Sequence, residues 1–212
     1  WSSDVCSSDL AMDLSRNESD EGIFEGQRNP SASHANGSAG QVDGEMAGKV
    51  ATVKGFRLHA ERGVTFWRFN IEVELTDKQQ RIAYKINNGP ATGFWVPALG
   101  QSMNMMFHSC NGFSLSVDSD QFSGPDPMWR DVLNTHQTQP FHVMIGGGDQ
   151  IYNDCVMNQA ELFAEWIAIK NPVHKHNAPF TPEMQDELDE FYLNRYSMWF
   201  SQGLFGLANS QI

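Results

Sequence analysis

The chain has 212 residues, 40% of them hydrophobic, enough to bury one sizeable core. Its formal net charge of -12 excludes a protein that holds nucleic acid or an anionic membrane through a general basic surface, because phosphate backbones need clustered Lys and Arg. Three scattered cysteines, Cys6, Cys110 and Cys155, do not make a disulfide framework and point to a reducing, cytoplasmic location. No stretch approaches the roughly 20 apolar residues of a membrane span.

Residues 1–10, WSSDVCSSDL, read like a translated sequencing adapter and contain no initiator Met. They are set aside as an artefact together with Cys6, and the natural start is expected to be missing. Residues 11–48 are rich in Ser, Asn, Gly, Asp and Glu with few apolar side chains. Burial there cannot offset the cost of ordering the backbone, so the segment reads as a loop or disordered linker.

Residues 49–100 read as an N-terminal β domain. In residues 64–75, Thr65, Trp67, Phe69, Ile71, Val73 and Leu75 share one face, and Arg68, Asn70, Glu72 and Glu74 the other. That period of two predicts a half-buried antiparallel strand. Ile82, Tyr84 and Ile86 repeat the alternation after a polar stretch, predicting a hairpin with the first strand. Residues 93–98 form a third short strand, and Trp67, Phe94 and Trp95 are the expected core of a small β-sandwich-like unit.

Residues 101–212 change character. The apolar runs 103–107 and 141–145 fit buried parallel strands of an α/β layer. Residues 159–170 have helical spacing and end before Pro172. Residues 179–203 predict the clearest helix: Thr181 is the cap, Pro182 lies in the first turn, and Gly203 is the stop. Its Met184, Leu188, Phe191, Tyr192 and Trp199 stripe is expected to pack in the core. His174 and His176 flank Lys175 in what reads as a polar loop.

Two segments carry chemistry. In residues 141–154, FHVMIGGGDQIYND, an apolar strand runs into three glycines and then Asp149, with Tyr152 three residues on and Asp154 the next acid. Glycines allow a sharp turn that delivers a carboxylate at the C-terminal edge of the strand, where ligands bind in open α/β sheets. Neither GxGxxG nor GxxxxGK[ST] is present, so this is no dinucleotide or Walker loop. Read alone, the segment fits a structural turn equally well, with Asp149 as a helix cap and Tyr152 packed beneath. In residues 103–118, MNMMFHSCNGFSLSVD, a second strand ends at Cys110 and Asn111. A thiolate there is a competent iron or zinc ligand, although a lone Cys more often packs as a small hydrophobe. For His108 a packing role is expected.

The order of a strand ending in FHSCNG and a strand ending in GGGDQIY, together with FWRFNIEV, INNGPATGFWVP and FHSCNGFSLSVD, resembles the PhoD-like (alkaline phosphatase D) metallophosphatases, in their fungal-type branch. The similarity runs from about Lys49 to the end. The resemblance implies that Cys110, Asp149 and Tyr152 are ligands of a ferric iron, and that Asp149 also shares a second divalent metal, calcium in the family's best-known form. It implies a four-layer αββα metallophosphoesterase fold behind a small β domain, and hydrolysis of phosphate esters by a metal-bound hydroxide. The family's WDDHD-like element does not occur, nor does any DxH pair or GNHD. Residues 101–212 are therefore expected to be the front part of the catalytic domain, with the catalytic residues beyond residue 212 and little activity in this fragment. The rival reading is a noncatalytic protein whose β unit binds a partner or glycan.

Overall fold

The computed structural model describes residues 50–212 apart from Asn88. The readings of residues 1–10, including Cys6, and of residues 11–48 lie outside the described residues. What is described is a mixed α/β protein with three two-stranded sheets and six α-helices.

Strands β1 (Phe56–Glu61) and β2 (Val64–Arg68) form an antiparallel hairpin. Its two-residue turn is made by Arg62 (φ 46°) and Gly63 (φ 81°), the left-handed pair that matches strand twist. Strands β3 (Gln80–Tyr84) and β4 (Thr92–Val96) form a second antiparallel pair, with Ile82 opposite Phe94. The expected hairpin between residues 64–75 and 82–86 is therefore not the one formed. Alternation predicts which face a residue takes but not which strand it pairs with, and here each strand takes its closest neighbour in sequence. The strand read from Val64 to Leu75 ends at Arg68. Trp67, an expected core residue, is 54% exposed, because nothing among the described residues covers that face of β1–β2. Phe94 and Trp95 are half-buried, and Tyr84 donates its phenolic hydrogen to the Ser210 carbonyl at 2.8 Å.

The second part is built around a parallel pair, β5 (Met105–His108) and β6 (Val143–Gly146), in register from Met105–Val143 to His108–Gly146. Helix α1 (Met128–Thr138) connects them. After β6 come α2 (Val156–Gln159), α3 (Glu161–Ala168), α4 (Pro172–Asn177), α5 (Pro182–Ser201) and α6 (Gly203–Gln211). Helix α4 replaces the polar loop read around His174 and His176: Asn171 caps it by accepting from the Val173 and His174 N–H groups. Thr181 caps α5 as expected, its hydroxyl accepting from the Met184 N–H at 3.2 Å. Gly203 ends α5 with φ 66° and at once begins α6.

The core lies on one side of the parallel pair. Met106 faces Trp129 and Leu133 of α1, Trp199 of α5, and Leu204, Phe205 and Ala208 of α6. Each fully buried leucine, Leu133 and Leu204, contributes about 1.5–3 kcal/mol by leaving water. Asp126 fastens α6 to this core by accepting from the Phe205 N–H at 2.9 Å, in place of a cap from the helix's own flank. The runs read as buried strands are buried on this side only; Met105, Phe107 and Ile145 on the other face remain exposed.

Candidate metal centre

The site is the pair of loops leaving the C-terminal ends of β5 and β6. Hydrogen bonding between the two chains continues past the strands. Gly147 N–H donates to the His108 carbonyl at 2.7 Å, Cys110 N–H to Gly148 at 2.8 Å, and Asn111 N–H to Asp149 at 2.8 Å. The loops are thus stitched together, and Cys110 and Asp149 emerge side by side.

Both residues adopt left-handed backbone conformations, Cys110 at φ 54° and Asp149 at φ 55°. Asp visits this region with little penalty; Cys does so rarely, and strain of this kind gathers at functional sites. The sharp turn falls on Asp149 itself. The glycines before it serve another purpose: a Cβ on Gly147 would come within 2.9 Å of the Phe107 ring, and one on Gly146 within 2.8 Å of the Gln150 carboxamide. They let the turn lie flat against its neighbours.

The three residues singled out from the sequence come together. Cys110 Sγ lies 3.8 Å from Asp149 Oδ2. The neighbouring Cys110 side chain holds the Tyr152 pKa above the usual phenol range; burial and the charges of Cys110, Asp149 and Asp154 push the same way. Cys110, Asp149 and Asp154 are exposed and Tyr152 is half-buried, so the donors face solvent. Gly112 lies beneath the tyrosine, where a Cβ would be 3.0 Å from Tyr152 Cδ2. His108 turns into the core, edge-on to Trp129 at 4.7 Å and to Phe205 at 5.9 Å between ring centres, as a packing residue does. Burial lowers its pKa.

Helix α5 supports the loop after β6 through groups the sequence reading did not anticipate. Trp199 Nε1 donates to the Gln150 carbonyl at 2.9 Å, and Arg195 Nη2 to the Tyr152 carbonyl at 3.1 Å. Arg195 also lies over the Trp199 ring. Helix α1 supports the other loop through Trp129, whose Nε1 donates to Asn111 Oδ1 at 2.8 Å. A cleft beside the three donors is lined by Tyr152, Asp154, Arg195 and Trp199 on one side and by residues of the loop after β5, including Phe113 and Leu115, on the other.

The donor set fits a hard or borderline cation: a carboxylate, a phenol and a thiol from two loops. A thiolate and a carboxylate on one such ion, with bonds of about 2.3 Å and 2.1 Å in the zinc case, stand no further apart than the sum, about 4.4 Å. The 3.8 Å separation satisfies that. Among the described residues no group of three or more His, Cys, Asp and Glu side chains is disposed to hold a metal, so the set depends on Tyr152 as its third donor.

Comparison with known proteins gives two matches. The family model described as PhoD related phosphatase matches residues 93–212, which include both loops. An uncharacterized protein of Saccharomyces cerevisiae is 36% identical over 142 residues, 66% of this chain and 20% of the yeast protein. The aligned part thus spans about a fifth of that relative's length. No solved structure matches.

Proposed function

The chain belongs to the PhoD-related phosphatases, and from that premise we propose that Cys110, Asp149 and Tyr152 hold a ferric iron at a centre that hydrolyses phosphate esters. The observation that carries the reading is the convergence of three chemically suited donors on two loops fastened by consecutive backbone hydrogen bonds. When bound, such a metal neutralises phosphoryl oxygens and lowers the pKa of a water molecule.

The chain's own residues supply the rest. Tyr152 would hold the metal through Oη as a phenolate and Cys110 through Sγ as a thiolate, both protons passing to solvent. Asp149 would be the residue shared with a second divalent metal, calcium. The left-handed turns at Cys110 and Asp149 preset the two loops, so little ordering remains at the moment of binding. Three donors are fewer than a two-metal site uses, and weak metal retention by these three alone is expected. The adjoining cleft, with Phe113 and Leu115 in one wall, gives the organic part of an ester somewhere to lie.

The parallel pair β5–β6, with helices on one side and an exposed apolar face of Met105, Phe107 and Ile145 on the other, supports the four-layer αββα architecture as the setting of the site. Nothing favours the rival reading of a noncatalytic β unit.

Loading with iron tests the metal centre directly. A ferric phenolate gives a visible absorption band, which is expected in the wild-type chain and lost in Tyr152→Phe. Full iron occupancy without colour would remove Tyr152 from the ligand set.

A further inference from the structure

Asn111 stands between two left-handed positions, Cys110 (φ 54°) and Gly112 (φ 150°). Its backbone N–H donates to the Asp149 carbonyl at 2.8 Å, so it bonds to one candidate ligand residue while being covalently joined to another. Its side chain points the other way and is 7% exposed. There Asn111 Oδ1 accepts from Trp129 Nε1 at 2.8 Å. An indole nitrogen can only donate, which fixes the orientation of the amide. Asn111 Nδ2 is buried without a hydrogen-bond partner among the described residues, so the bond to Trp129 is what anchors the carboxamide.

Trp129 is itself held firmly. It is 5% exposed, packs 4.7 Å from the Phe205 ring, and meets His108 edge-on. A donor locked by packing, bonded to an acceptor locked by that donor, is the arrangement that fixes a neighbouring ligand set. An orphaned amide proton is costly to bury, and the chain carries that cost at Asn111 while satisfying the buried Trp129 N–H.

We propose that Asn111 and Trp129 are a positioning pair for the metal centre, transmitting the rigidity of the core to the thiol of Cys110 and the carboxylate of Asp149 before any metal binds. Neither residue touches the cation. The proposal rests on the metal-centre reading, but the clamp itself exists in the metal-free chain and can be measured there.

The test uses Trp129→Phe, which keeps an aromatic ring and removes the N–H, and Asn111→Leu, which removes the acceptor. Both are compared with their double variant and with Leu133→Val, a core truncation that leaves the bond intact. Amide hydrogen exchange at Cys110 and Asn111 is read without metal. Cobalt(II) affinity is read from the thiolate charge-transfer band. Each single variant is expected to speed exchange at both amides and to weaken cobalt binding about tenfold. The double variant is expected to be no worse than the weaker single one, because both substitutions break the same bond. Leu133→Val is expected to lower the melting temperature while leaving both readouts near wild type. Unchanged exchange in Trp129→Phe, or additive losses in the double variant, would overturn the pairing. A matching loss in Leu133→Val would reduce it to general stability and overturn it as well. Faster exchange in both single variants with no cobalt band in any chain, wild type included, would refute the metal-centre reading and retain the clamp.

Discussion

Asn104 and His142 clasp one another at the end of the parallel pair opposite the candidate metal centre. The Asn104 N–H donates to His142 Nδ1 at 2.9 Å, and the His142 N–H donates to the Asn104 carbonyl at 2.8 Å. His142 Nε2 meets Gln79 Oε1 at 3.2 Å. With Nδ1 occupied as an acceptor, the ring must be the neutral tautomer that donates from Nε2. The register that delivers Cys110 and Asp149 is thus pinned at both ends of β5 and β6.

The first prediction concerns pH. Burial lowers the His142 pKa below its usual value, and protonation at Nδ1 would remove the acceptor used by Asn104. The unfolded chain takes up this proton near pH 6.5 and the folded chain only at lower pH, so between the two values the unfolded state binds more protons. The contribution of His142 is fully present above about pH 6.5 and is lost as pH falls from there toward the folded value. Urea unfolding between pH 5 and 7.5 is expected to show stability declining toward acid, with a shallower decline in His142→Leu. Equal slopes in the two chains would exclude His142 as the source.

Asp149→Asn separates chemistry from folding. Asn tolerates the left-handed conformation that Asp149 adopts, and the side chain is exposed. Stability is expected to stay within about 0.5 kcal/mol of wild type. Metal affinity, which requires the carboxylate charge, is expected to be lost. Wild-type metal affinity in this variant would end the metal-centre reading.

The two strand ends that bring Cys110 and Asp149 together were legible in the sequence because they are local. An apolar run into three glycines and an Asp, and a second run into a Cys, each announce a strand end from adjacent residues alone. Thr181 and Pro182 announce the start of α5 in the same way. What escaped depends on distant partners. Helix α1 has no side-chain cap, and its buried Trp129, Leu133 and His136 become a recognisable stripe only once a core is there to face. Helix α6 takes a cap from Asp126, far back in the chain. Arg195 and Trp199 act on the site through backbone carbonyls, which any sequence possesses, so no motif marks them. The strand in β2 was real as far as Arg68, but both its faces are exposed rather than one buried, and its partner was set by the Arg62–Gly63 turn.

Gly112→Ala tests how Tyr152 is placed. A Cβ there would stand 3.0 Å from Tyr152 Cδ2, and the backbone has φ 150°, a conformation that costs an L-residue about 1–3 kcal/mol. Either the ring moves or the loop does. The expected result is a lower melting temperature together with loss of the ferric phenolate band. A stable variant that keeps the band would mean that Tyr152 is not seated by Gly112.

Helix α3 begins at Glu161 with no capping side chain of its own, because Ala160 occupies the cap position. Glu187 of α5 fills the role across the tertiary contact. Its Oε1 accepts from the Glu161 N–H at 2.5 Å and its Oε2 from the Leu162 N–H at 3.0 Å, with the Phe163 N–H at 3.3 Å from the same oxygen. A carboxylate at a helix N-terminus gains both from these donors and from the positive end of the helix dipole. Glu187→Ala leaves the N–H groups to water and is expected to cost about 1–2 kcal/mol, the range for loss of a helix cap. Glu187→Gln keeps one acceptor but not the charge, and should fall between the two. The measurement is the urea midpoint at unchanged slope, which isolates a stability change from a change in the denatured state. If Glu187→Ala unfolds at the wild-type midpoint, α3 owes nothing to α5 at this end, and its position must be set by packing alone.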